Sequence, residues 1–126
     1  MRSVREERGR TARRGERLAA LLLRAKGYRI EARNWRCPLG EIDIVAWHRG
    51  TLVFVEVKAR TGGSAGSPEE AVTREKQRRL VRLAQAYLGR RAEPPPCRFD
   101  VVAVSGHGWL PAVRHLRGAF RADGLG

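Results

Sequence analysis

The sequence predicts a mixed α/β (α+β) domain: one mixed sheet flanked by helices, in the element order αβββαββ. Three observations point there. Apolar residues recur at helical spacing over 10–26 and 67–88. Short segments of strand-like pattern occupy 28–35, 41–48, 51–60, 98–104 and 110–116. Glycine and proline punctuate the joins between them.

Residues 1–9 are rich in Arg and Glu with little apolar content, so this basic segment is expected to be disordered. A single domain is expected over 10–120, and a flexible tail over 121–126. The first helix places Leu18, Leu21, Leu22 and Ala25 on one stripe and stops at Gly27. Strands one to three follow, then a Gly/Ser-rich loop over 61–67. Ser67 is the expected cap of the second helix, with Pro68 at its first position and Glu69 and Glu70 in its first turn. That helix buries Val72, Leu80, Leu83, Ala84, Tyr87 and Leu88. The run Glu93-Pro94-Pro95-Pro96 breaks the chain before the last two strands.

The chemistry concentrates in the second and third strands, where Glu41, Asp43, Glu56 and Lys58 interrupt apolar sequence. Such residues are seldom buried unless paired or bound to a metal. Period two places Glu41 with Asp43 and Glu56 with Lys58. A turn at Arg49-Gly50 gives a register in which Asp43 faces Glu56 and Glu41 faces Lys58. Opposed carboxylates repel, and a divalent cation such as Mg2+ between them would relieve that. Lys58 could then orient a water, stabilise a phosphate, or deprotonate if burial lowered its pKa. The plainer reading is a solvated acidic sheet face. Against it, the expected companions on that face are Val45, Trp47, Leu52 and Phe54.

Asp43, twelve residues, then Glu56-Val57-Lys58 matches the D…(D/E)xK pattern of restriction-endonuclease-like nucleases. Further segments are Gly15-Glu16, Gly27-Tyr28, Arg33-Asn34-Trp35-Arg36, Gly40-Glu41-Ile42-Asp43, Gly66-Ser67-Pro68, Lys76-Gln77-Arg78-Arg79, Arg98-Phe99-Asp100-Val101-Val102 and Ala119-Phe120. Together they resemble the bacterial YraN family, itself similar to archaeal Holliday-junction resolvases. One departure is Ile42, where many such nucleases carry proline. The resemblance implies a restriction-endonuclease-like core and a Mg2+ (or Mn2+) site. Asp43, Glu56 and the Val57 carbonyl would hold the ion, with Lys58 catalytic and Glu16 a ligand or water-organiser. Glu41 would bind metal through water, or hold Lys58.

Composition bounds the partner. The 126 residues carry 26 basic against 13 acidic side chains, a net charge of +13. That surplus favours a polyanion, with nucleic acid ahead of ribosomal RNA in particular or an anionic membrane. Arg60, Lys76, Gln77, Arg78, Arg79 and Arg82 are the candidate contacts, along with the arginine-rich N-terminal segment. A solvated basic face is the commoner meaning of such a run. Gln77 could alternatively reach the metal pocket.

Cys37 and Cys97 are too few for a zinc site or disulfide framework, and read as buried free thiols in a reducing cytoplasm. Ala19–Leu23, the longest apolar run near the start, is far too short to cross a bilayer. Asp100 reads as a structural ion pair, with Arg98 or a helix-borne Arg. Trp35 reads as a core or rim residue, His107 as a loop residue and His115 as a sheet-edge residue.

The expected function is therefore metal-dependent phosphodiester cleavage of nucleic acid, DNA ahead of RNA, with structured or branched DNA as the expected substrate. A homodimer would suit that task. The alternatives are a nucleic-acid-binding protein that keeps the nuclease fold without turnover, and an interaction protein with an acidic partner.

Overall fold

The computed structural model describes residues 4–59, 72–106 and 112–122. Within them the order is α1 (Val4–Ala25), β1 (Arg29–Cys37), β2 (Gly40–His48), β3 (Thr51–Ala59), α2 (Arg74–Leu88), β4 (Cys97–Ser105) and β5 (Ala112–Phe120). This is the expected αβββαββ succession. The five strands lie in the spatial order β1-β2-β3-β4-β5. Only β3 and β4 run parallel; the other neighbours are antiparallel. A parallel pair needs a crossover, and α2 lies in the connection between β3 and β4. No described helix is long and apolar enough to cross a membrane.

Each face of the sheet carries one helix. Ala19, Ala20 and Leu23 of α1 pack with Ile44, Ala46, Val53, Val55, Val102 and Val104. Leu80, Val81, Leu83 and Ala84 of α2 pack with Ile42, Val45, Leu52, Phe54 and Phe99 on the other face. β3 is therefore covered on both sides, which explains its near-continuous apolar sequence. α1 ends in a Schellman arrangement: the Tyr28 amide donates to the Leu23 carbonyl and the Gly27 amide to that of Arg24. Gly27, at φ +90°, supplies the left-handed residue this needs.

The β2–β3 hairpin has the expected register. His48 pairs with Thr51 and Ile44 with Val55, and both turn residues, Arg49 and Gly50, have positive φ. That is the turn whose twist matches the flanking strands. Beyond Ile44 and Val55 the paired ladder ends. Side-chain alternation also breaks there. Ile42 and Val45 both face α2, whereas Ile44 faces α1. On β1, Ala32 and Trp35 likewise both face α2, and the intervening Asn34 has φ +52°. Arg33 pairs with Ile44 and Trp35 with Ile42. Asn34 and Asp43 thus lie between the same two cross-strand pairs, where the two-stranded ribbon turns over.

Several boundaries differ from expectation. α1 begins at Val4, well before Arg10. α2 begins at Arg74, because Thr73 is extended (φ −68°, ψ 164°) and its hydroxyl accepts from the Lys76 amide. Val72 is buried but precedes that cap, so no helix runs unbroken from Ser67 to Leu88. The expected cap at Ser67–Pro68 lies outside the described residues, as do Arg60 and His107. β5 continues to Phe120, whose ring stacks on Phe99 at 4.8 Å. Neither cysteine is buried: Cys37 is half-buried and Cys97 exposed, both as free thiols.

Candidate functional site

Glu16, Glu41 and Asp43 converge, with a carboxylate oxygen of each within 4.8 Å of the others. Three elements of the fold bring this about. Gly15 lets α1 lie flat on the sheet: a Cβ there would sit 2.5 Å from the Ala59 Cβ. Glu16 is the next residue along. The turnover at Asp43 moves its side chain off the face shared by Val45, Leu52 and Phe54, where strict alternation had placed it, and toward α1. The end of the β2–β3 ladder then frees the Val57 amide, which donates to Asp43 Oδ2 at 2.8 Å.

The carboxylates act strongly on one another. Burial and the charge of Glu56, with further contributions from Glu16 and Glu41, push the Asp43 carboxyl up to about 7; the Val57 hydrogen bond opposes them. A cation that replaced the proton would satisfy all these groups together. The donor set is wholly carboxylate oxygen, which suits a hard divalent ion such as Mg2+ or Mn2+.

Glu56 and Lys58 do not join this trio directly. Lys58 Nζ lies 3.3 Å from Glu56 Oε1. Glu41 is paired with Arg36 at 3.2 Å. The cross-strand pair Glu41–Lys58 and the direct apposition of Asp43 with Glu56 are therefore both replaced, because the ladder ends before reaching them. Glu56 remains near enough to be the largest charge acting on Asp43.

Lys76, on α2, lies close enough to Lys58 that the interaction with that neighbouring amine, through contact and charge, pushes the Lys76 amine down from its usual value.

The rest of the expected basic run divides. Arg78, Arg79 and Arg82 are exposed on α2. Gln77 does not reach toward the carboxylates, since its amide donates to the Val72 carbonyl at 3.0 Å and tightens the start of α2. Trp35 is a packing residue, its ring edge-on to Tyr87 at 5.2 Å.

Asp100 forms the structural ion pair expected of it, with Arg98 Nε at 2.9 Å. Its other partners were not legible in the sequence. Tyr28 Oη, His115 Nε2 and the Gly118 amide also donate to it, at 3.1, 2.8 and 2.9 Å. His115 is on the edge strand, yet its side chain is almost wholly enclosed. Lys26 Nζ is 2.9 Å from its Nδ1. Because a lysine ammonium only donates, Nδ1 accepts and Nε2 carries the hydrogen given to Asp100. Burial pushes the Asp100 carboxyl up, but hydrogen bonds from His115, Arg98 and Gly118 outweigh it and hold the group at about 2. Glu31 was also missed: it accepts from Trp47 Nε1 and the Tyr87 hydroxyl, tying β1 and β2 to α2.

Comparison with known proteins identifies a family and several relatives. The model of a family described as uncharacterised protein family UPF0102 matches residues 15–104, from Gly15 at the helix–sheet contact to Val104 in β4. A UPF0102 protein of Symbiobacterium thermophilum is 56% identical over 110 residues, covering 86% of this chain and 93% of its own length. Another, from Syntrophotalea carbinolica, is 51% identical over 111 residues, covering 87% and 90%. A third, from Lachnoclostridium phytofermentans, is 52% identical over 108 residues, covering 84% and 88%.

Proposed function

The chain belongs to the uncharacterised protein family UPF0102, the YraN family its motifs resemble, and for it we propose metal-dependent cleavage of phosphodiester bonds in nucleic acid. One observation carries the reading. Three carboxylates from α1 and β2 meet within 4.8 Å at a point where a fourth, Glu56, adds charge and a lysine stands beside it. A bound Mg2+ or Mn2+ would neutralise charge on the reacting phosphate and make water a better nucleophile.

The chain's own residues would do the rest. Asp43, with Glu16 and Glu41, would hold the ion, and Glu56 and the Val57 carbonyl would complete the oxygen set. Lys58 would orient the phosphate, with Lys76 as a second cation on the same oxygens. Arg60, Arg78, Arg79 and Arg82 would grip the backbone on either side. Structured or branched DNA in the cytoplasm is the proposed substrate, and a homodimer the form that would cut two strands.

The test incubates labelled single-stranded, duplex and four-way DNA with the protein in Mg2+, Mn2+ or EDTA, beside Asp43→Asn and Lys58→Met. Products that need the ion and fall at least ~100-fold in both variants support the reading, since removal of a single transition-state contact typically has that effect. Products undiminished in the variants would sink it. A thermal shift on adding Mn2+, absent in Asp43→Asn, reads the ion site without turnover.

A second reading has its own support. Glu41 and Glu56 are already paired with Arg36 and Lys58, which suits a nucleic-acid-binding protein that keeps the fold without turnover. It predicts salt-dependent binding with no products under any metal.

A further inference from the structure

α1 presents a second basic face, separate from the one on α2. Arg10, Arg13, Arg14 and Arg17 fall at i, i+3, i+4 and i+7, so they share one side of the helix. All four are exposed, and among the described residues they line a concavity of about 460 Å³. The opposite side of α1 is committed to the sheet through Gly15, Ala19, Ala20 and Leu23. The arginines therefore lie on the side of α1 that faces away from the sheet. Between Arg10 and Arg17 the only acidic residue is Glu16, and its carboxylate lies with Glu41 and Asp43.

We propose that these four arginines are a docking track for a phosphodiester strand of nucleic acid. Their spacing fits. Seven residues of helix rise about 10 Å; one strand of a duplex carries a phosphate for every ~3.4 Å of duplex axis, so α1 lying along that axis spans roughly three of them. Guanidinium groups meet phosphate oxygens in two-pronged fashion. The proposal deepens the reading above, since a multi-phosphate track selects a polymer over a small phosphate ester.

It also bears on how that polymer lies. α1 and α2 cover opposite faces of the sheet, so this track and Arg78, Arg79 and Arg82 point away from each other. One strand segment cannot serve both, and the two tracks should act independently. An anionic membrane is the weaker occupant. Interfacial helices need an apolar face to insert, and the apolar side of α1 lies against the sheet, leaving Leu21 as its exposed large hydrophobic residue.

The experiment measures binding of a labelled duplex by fluorescence anisotropy across a salt series in EDTA, so that no cleavage is required. The full chain is compared with Arg10→Gln/Arg13→Gln/Arg14→Gln/Arg17→Gln, with the same four positions changed to Lys, and with Arg78→Gln/Arg82→Gln on α2. The glutamine variant should flatten the slope of log affinity against log salt by about three. The lysine variant should keep most of the slope, and the α1 and α2 losses should add. Circular dichroism and melting of each variant confirm that it folds. An unchanged slope in the glutamine variant overturns the proposal. So does loss of sedimentation with phosphatidylglycerol vesicles while the DNA slope is retained. Absence of cleavage in the nuclease assay would leave this measurement standing, because it reads equilibrium binding alone.

Discussion

Asp43 and Asp100 stand on the two strands that flank β3, and their surroundings are opposites. Asp100 receives hydrogen bonds from Arg98, Tyr28, His115 and the Gly118 amide, and its carboxyl is held at about 2. Asp43 receives the Val57 amide and otherwise meets carboxylates, and its carboxyl is pushed up to about 7. Burial acts on both in the same direction. The difference lies in whether the fold supplies donors. A saturated acid serves the scaffold, and one left short of cations is open to a ligand.

Breaking the saturated side should have the largest effect. Asp100→Ala leaves the Arg98 guanidinium without its carboxylate and frees His115 and Tyr28 from a common partner. A loss of about 3–5 kcal/mol in urea unfolding is expected. A loss below 1 kcal/mol would show that the network adds nothing to stability.

Gly15→Ala tests how α1 delivers Glu16. The added methyl would meet the Ala59 Cβ at 2.5 Å, and neither group can swing aside. The helix must lift, at a cost of about 1–3 kcal/mol. The Mn2+ thermal shift should shrink with it, because Glu16 moves away from Asp43.

Asp43→Asn sharpens the comparison through pH. The native carboxyl of Asp43 titrates above its unfolded value of ~3.9. Its contribution to stability is therefore complete below about pH 4 and is lost as pH rises through about 7. Asp100 runs the other way: its native carboxyl lies below that value, so its contribution is present above about pH 4 and lost as pH falls toward 2. In EDTA the wild type should weaken between pH 5 and 8 by roughly 2 kcal/mol from Asp43, and Asp43→Asn should not. Equal weakening in both proteins would mean that Asp43 ionises without strain.

The smallest effect belongs to the start of α2. Thr73→Ala removes the hydroxyl that accepts from the Lys76 amide and should cost about 1 kcal/mol. Because Lys76 lies in the first turn that this cap holds, DNA affinity should fall slightly as well, readable in the same anisotropy titration.

Local pattern was enough for the element order and the hairpin register, and it singled out the residues of the candidate site. Alternating apolar residues and the Arg49-Gly50 turn placed His48 opposite Thr51, since strand period and turn geometry are both local properties. The same local rule misplaced the Asp43 side chain. Alternation assumes an unbroken ladder, and this one turns over at Asn34 and Asp43 and ends after Val55. It likewise paired Glu41 with Lys58, where the folded chain pairs Glu41 with Arg36 and Lys58 with Glu56.

By itself the sequence determined an αβββαββ domain of strong positive charge, with carboxylates and a lysine set into its central hairpin. Tertiary structure alone decided which carboxylates meet, because that depends on how closely α1 can approach β3 over Gly15 and on where the β2–β3 ladder stops. It also decided that Asp100 is saturated, since its donors come from positions 28, 98, 115 and 118, far apart in the chain and joined only once β4, β5 and the end of α1 have packed.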